Sequence, residues 1–245
     1  MKDEQSKLDL NPQSESSEMT NAQDSSLAQD QEQTHEQTQE QLRHPLTEIW
    51  FYPREAYRAL AQHPLPKLNL TIAALAGVVQ VLASGFMQED GQFNSIMVLL
   101  FSALVGGSIG GIIGVYLSSF LFKFTGKLLG GSASYARLRD VFSWSSLPSL
   151  INLPFLLLFL VIMGNGYFDP KYFETHPGLI VTLLVAAWGL VSLVVSIWGL
   201  ILMVVGISEV QNFSIWRAIA NFVLSVLIIV VPIVIIAFAV GSAGL

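Results

Sequence analysis

The sequence predicts an all-α polytopic membrane protein: a bundle of five transmembrane helices behind a disordered amino-terminal tail and a juxtamembrane amphipathic helix. Three observations predict it. The 245 residues are 52% hydrophobic and only 12% charged, whereas a soluble domain has about 25% charged residues, and the mean hydropathy is +0.56. Five segments are long and apolar enough to cross a bilayer, which takes about 20 residues. The charge is also partitioned along the chain. Residues 1–41 hold ten acidic groups against Lys2 and Lys7, so the net charge of −6 belongs to the tail and the rest is slightly basic.

Residues 1–44 form the first predicted unit, an acidic, Gln- and Ser-rich cytoplasmic tail. Residues 1–41 contain no aromatic residue and no long apolar run. Such a segment cannot bury enough apolar surface to offset chain entropy, so it is expected to be disordered. It lacks the apolar core of a secretory signal, so the first span is expected to direct insertion. Residues 45–245 form the second predicted unit, the membrane domain. It opens with an amphipathic segment over 46–63 in which Pro53 suits a first helical turn. Ala56, Tyr57 and Leu60 fall on one face of it. Trp50, Phe51 and Tyr52 favour the headgroup region, and the segment is expected to lie on the inner leaflet. Its candidate cytosolic docking surface is Trp50, Tyr52, Pro53, Arg54, Tyr57 and Arg58.

The five spans are expected at Leu68–Phe86, Ile96–Phe122, Val141–Met163, Leu179–Val205 and Ala218–Val240. None contains Asp, Glu, Lys, Arg or His. A soluble protein of this length has too little polar sequence to cover five all-round apolar helices. A β-barrel would show short alternating segments instead of continuous apolar runs. Helices satisfy every backbone polar group inside lipid. Orientation follows from Lys and Arg near the spans. Arg43, Arg54, Arg58, Lys67, Lys123, Lys127, Arg137, Arg139 and Arg217 all fall on one side, against Lys171 on the other. The amino terminus and the loops 123–140 and 206–217 are therefore expected in the cytoplasm. The loops 87–95 and 164–178 and the carboxyl terminus are expected outside. The sequons at Asn69 and Asn212 then lie on the cytoplasmic face, where they are not glycosylated.

Two spans carry unusual patterns. In the second, Ser102, Gly106, Gly110, Gly114 and Ser118 recur every four residues, with Ala103, Gly107, Gly111 and Ser119 almost alongside. This small-residue surface lets another helix backbone approach closely. It is a candidate packing seam, within the protein or between two copies. The third span opens with Ser145, Ser146, Pro148, Ser149, Asn152 and Pro154. Each proline removes a backbone hydrogen bond and is expected to kink the helix. The serines and Asn152 are placed to satisfy the freed carbonyls or to bond a neighbouring helix. A broken polar helix can also mark a transport site.

No residue pattern points to catalysis. The chain has no cysteine, which excludes disulfide staples, thiol chemistry and Cys-ligated metals. His35, His44, His63 and His176 are far apart, with no metal-binding spacing. There is no nucleophile elbow, and the glycines of the second span lack the spacing and the strand of a dinucleotide site. Catalytic, metal and cofactor residues are expected to be none, and nucleic acid is not an expected partner. An enzyme would need convergence such as Asp140 with Arg137 and Arg139.

Residues 45–240 resemble the Yip-type family, first named for interaction with Ypt/Rab GTPases. The resemblance rests on a polar amino terminus, a Pro-containing pre-membrane segment (Trp50–Pro53), five spans and a Gly-rich second span. It rests further on the run from Tyr135 to Pro148 and on the loop from Gly206 to Ala218. The Asp-Leu-Tyr-Gly-Pro signature of eukaryotic members is absent, which points to a bacterial member and an inner or other internal membrane. The resemblance implies a role in membrane organisation. The expected function is therefore non-enzymatic, scaffolding partners at the bilayer. The partners expected are lipid, a protein on the cytoplasmic face and another copy of the chain. The alternative is a small transporter, channel or lipid-moving protein.

Overall fold

The computed structural model describes residues 45–86, 95–169, 171–172 and 178–243. The expectations for the tail, most of loop 87–95 and part of loop 164–178 lie outside these residues. All regular structure among the described residues is helical.

Two short helices come first, α1 (Pro45–Phe51) and α2 (Pro53–Gln62). Tyr52 sits between them outside the helical region (φ −130°, ψ 61°), since a following proline disfavours the helical conformation. Pro64 and Pro66 then stop α2, and Pro66 starts α3 (Pro66–Ser84). Four long helices follow: α4 (Ile96–Leu128), α5 (Tyr135–Phe168), α6 (Leu179–Gln211) and α7 (Ile215–Ala243). The five helices α3 to α7 are each long and apolar enough to cross a membrane. Each differs by a few residues from its predicted span, and α4 to α7 outrun theirs, because a helix can continue in polar sequence beyond the hydrocarbon. At 1.5 Å per residue, a helix of 33 residues spans about 50 Å, against a hydrocarbon core of about 30 Å.

The helix ends are set by local chemistry. α4 stops where Gly130 turns to φ 84° and Gly131 N–H returns to the Gly126 carbonyl at 2.8 Å, a glycine-terminated end. Ser134 caps α5 by accepting from Arg137 N–H. Asn212 takes the left-handed conformation after α6 (φ 56°), and Phe213 N–H bonds the Ser208 carbonyl at 2.9 Å.

Two helices are irregular. α4 contains a π-helical stretch over Ser102–Gly107. α5 is broken by a 3₁₀ turn over Leu147–Ile151 and restarts at Asn152. Pro148 sits in that turn. Pro154 falls in the first turn of the restarted helix, where a missing N–H leaves no internal bond unmade. Three serines answer the break from within: Ser145 donates to the Phe142 carbonyl, Ser146 to Ser143 and Ser149 to Ser146.

Residues Glu48–Leu245 form one compact unit with two apolar clusters. One lies at the end where α2 meets the start of α5 and the end of α6, and includes Tyr57, Leu60, Leu138, Val141, Trp144 and Ile207. Every described Lys and Arg except Lys171 lies toward this basic end. The other cluster, toward the opposite end, includes Leu82, Leu99, Leu156, Phe159 and Tyr167. There Phe86 contacts Phe159, Tyr167 and Trp188 at ring-centroid distances of 5.1–5.5 Å. The outer sides of the long helices are apolar and exposed, the surface that a bilayer covers.

Candidate functional site

The predicted docking segment is built into the bundle. Tyr57 is only 1% exposed. Its ring fills the space above Gly206 of α6, where an added Cβ would come within 2.9 Å of the Tyr57 ring and 2.7 Å of Val141 Cγ1. Ala56 and Leu60 are buried beside it, as a helical spacing of three and four residues requires. The Tyr57 hydroxyl has no hydrogen-bond partner among the described residues, and burial pushes its ionisation well above the ordinary phenol range. Arg58, one position on, donates to both oxygens of Glu209 at 2.6 and 3.3 Å. That hydrogen bond, with the charge of Glu209, raises Arg58 further above its ordinary value. Of the predicted docking residues, Tyr57 thus holds α2 in place and Arg58 ties it to α6. Trp50 and Pro53 are half-buried and Arg54 is exposed. Tyr52 is 63% exposed, beside Phe51 at 79%.

Beneath this platform lies a buried polar relay. Asn69 donates to the Asp140 carboxyl at 2.5 Å, and its amide oxygen accepts from Trp144 Nε1 at 2.7 Å. Arg139 turns elsewhere, donating to the Tyr116 hydroxyl at 2.8 Å and lying 5.0 Å from that ring's centroid. Asp140 and Arg139 therefore face different helices. Asn69, one of the two sequons, is buried, and both ends of its amide are engaged by these bonds. Asn212, the other, donates to the Ser132 hydroxyl.

A second relay joins the ends of α4 and α6 to α7. Thr125 Oγ1 lies 2.5 Å from Asn221 Oδ1 and 2.7 Å from Ser225 Oγ. Gln211 donates to the Phe122 carbonyl at 3.1 Å, and its side chain occupies the space left by Gly126 and Gly131. A third link lies within the bundle. Asn152, just past the break in α5, accepts from Trp188 Nε1 at 3.0 Å and from Ser192 at 2.7 Å.

The small-residue surface of α4 divides into two rows with different surroundings. Gly107 and Gly111 lie against α3, where an added Cβ at Gly111 would sit 2.1 Å from the Ala73 carbonyl oxygen. A Cβ at Gly77 of α3 would sit 1.9 Å from the Gly107 carbonyl oxygen. At Gly106, Gly110 and Gly114 an added Cβ would meet nothing within 4 Å. These three line an open groove of about 350 Å³ with Ser118, Gln80 and Ser146. Ser102 is half-buried in the π-helical stretch.

The sequence missed Gln211, Glu209 and Asp140 as structural partners. Their contacts join residues 71 to 151 positions apart, and no local pattern signals them. Among the described residues no cluster of His, Asp or Glu could hold a metal.

No curated protein and no solved structure matches the chain. The family model of the Yip1 domain matches residues 47–237, from the end of the tail almost to the end of α7. With five apolar helices long enough to cross a bilayer, the chain is an integral multi-pass membrane protein that belongs to the Yip1 domain family.

Proposed function

We infer that the protein is a non-enzymatic scaffold that holds a partner protein at the cytoplasmic face of its membrane. The observation that carries this reading is the fixed position of α2. Tyr57 seated over Gly206 and Arg58 bonded to Glu209 make a juxtamembrane platform whose outer residues, Tyr52 and Arg54, remain exposed. A preorganised surface loses little conformational entropy on binding, and exposed Tyr and Arg are side chains that anchor interfaces. The cytoplasmic assignment draws on the basic end, since Lys and Arg accumulate on the cytoplasmic side of membrane proteins.

The test is capture from native membranes by wild type and by Tyr52→Ala/Arg54→Glu, two exposed changes that leave the buried face of α2 intact. A stoichiometric partner lost from the variant supports the reading. Equal capture by both sinks it.

A second reading, a small transporter, channel or lipid-moving protein, draws on the groove beside Gly106, Gly110 and Gly114. That groove reaches Ser146 at the break in α5 and carries Gln80 and Ser118 on its wall. It predicts flux of ions, solutes or lipids in proteoliposomes that Gly110→Leu reduces. A change in oligomeric state without any flux would assign the groove to helix docking between copies.

A further inference from the structure

A second groove has a different character. It has a volume of about 610 Å³, within the range of about 300–1,000 Å³ typical of small-molecule sites. One wall is a single face of α6, with Leu190, Val194 and Trp198 spaced four residues apart and Val191 and Val195 in the parallel row. Ile151, at the end of the 3₁₀ turn in α5, forms a second side. Trp50 and Phe51 of α1 close the basic end. From Leu190 to Trp198 the face runs about 12 Å along the helix axis, at 1.5 Å per residue.

We propose that this groove seats one acyl chain of a bilayer phospholipid, held between α1 and α6. The occupant follows from three observations. The residues on its wall are aliphatic or aromatic, and their only polar side-chain atoms are the indole N–H groups of Trp50 and Trp198, so the wall suits a hydrocarbon chain better than a polar ligand. The groove is continuous with the bilayer-facing surface, because Leu190 and Val194 on its wall are 68% and 65% exposed on a membrane-crossing helix. Lipid is therefore the medium at its mouth. At its basic end stand Trp50 and Phe51, and aromatic side chains of this kind settle at the headgroup level, which sets the depth at which a lipid tail enters. Bulk lipid is as apolar as the groove, so the chain is retained by close van der Waals contact and not by transfer out of water. Such a lipid acts as a wedge that fixes α1 against α6. It is distinct from any partner of the platform, whose exposed residues lie beyond Phe51.

The test counts phospholipid kept by the full-length protein after reconstitution in dioleoylphosphatidylcholine vesicles and exchange into detergent, using native mass spectrometry. Wild type is expected to keep one phospholipid per chain. Val194→Trp and Leu190→Trp fill the groove from exposed positions and are expected to lower the retained fraction at least about fivefold. Ile235→Trp, on the exposed part of α7, is expected to keep the lipid. Thermal unfolding of each variant identifies one that fails to fold, and the other groove variant then decides. The proposal is overturned if wild type keeps no phospholipid, or if both folded groove variants keep as much as wild type. A dimer that forms through wild-type chains and is lost in Val194→Trp would also overturn it, by assigning the groove to a second copy.

Discussion

Gly110 and Gly111 are neighbours in one helix, yet adding a single methyl group to each is expected to have opposite effects. At Gly111 the new Cβ would lie 2.1 Å from the Ala73 carbonyl oxygen and 3.0 Å from Gly77 Cα. Both obstacles are backbone, which cannot rotate away as a side chain can. Relief requires α3 and α4 to separate by about 1 Å along their contact, and overpacking of this kind costs about 1–3 kcal/mol. At Gly110 the Cβ would meet nothing within 4 Å. There only the helix preference of Ala over Gly remains, a gain of about 0.5–1 kcal/mol. The two variants should therefore differ by about 1.5–4 kcal/mol. The assay is unfolding of each in the same detergent micelle, followed by circular dichroism, with Gly114→Ala and Gly77→Ala as a second pair. Gly110→Ala and Gly114→Ala are expected at or slightly above wild type, and Gly111→Ala and Gly77→Ala clearly below. Equal stability of Gly110→Ala and Gly111→Ala would refute the placement of the two rows.

Three further outcomes follow from the buried contacts. Asn69→Ala orphans both the Asp140 carboxyl and the Trp144 indole. At about 1–3 kcal/mol for each orphaned group, it should lower stability by about 2–6 kcal/mol in the same unfolding assay, and wild-type stability would contradict the relay. Tyr57→Phe removes a buried hydroxyl without a partner among the described residues, so it should leave stability unchanged or raise it by up to about 1 kcal/mol. Tyr57→Ala, by contrast, opens a cavity over Gly206 and should cost about 3–5 kcal/mol. Asn152→Leu breaks the link from α5 to Trp188 and Ser192. It removes two interhelical hydrogen bonds, each worth about 0.6–2 kcal/mol in membranes, so it should cost about 1–4 kcal/mol and shift Trp188 emission. No change in either would place Asn152 outside the α5–α6 contact.

The five spans are legible in the sequence because apolar length is a local property, and a bilayer imposes it on each helix separately. So is the apolar face of α2, since Ala56, Tyr57 and Leu60 repeat at helical spacing. What that face touches is a different matter. Tyr57 reads as a surface aromatic until Gly206, far along the chain, supplies the space that buries it. The glycine rows of α4 show the same limit. Residues four apart drift about 40° around the helix, and adjacent rows are about 100° apart. Spacing alone reveals a small-residue surface without saying which row meets α3. The Ser and Pro cluster in α5 announces a break. Its form, a 3₁₀ turn with three serines bonding their own helix, is not written in that cluster, and neither is the close approach of α6 at Gly199, where an added Cβ would sit 2.9 Å from the Ser145 carbonyl oxygen. The π-helical stretch over Ser102–Gly107 carries no sequence signal beyond its small residues.

The proposed scaffold stands or falls on what lies against the outer side of α2 in the living membrane. A photo-crosslinking residue placed at Tyr52, and separately at Gln62, measures this directly, with Ile235 on the exposed part of α7 as the lipid-facing control. The account predicts one protein adduct, shared by positions 52 and 62, absent from position 235 and lost when Arg54→Glu is added. Adducts that are absent, or the same at all three positions, would contradict it.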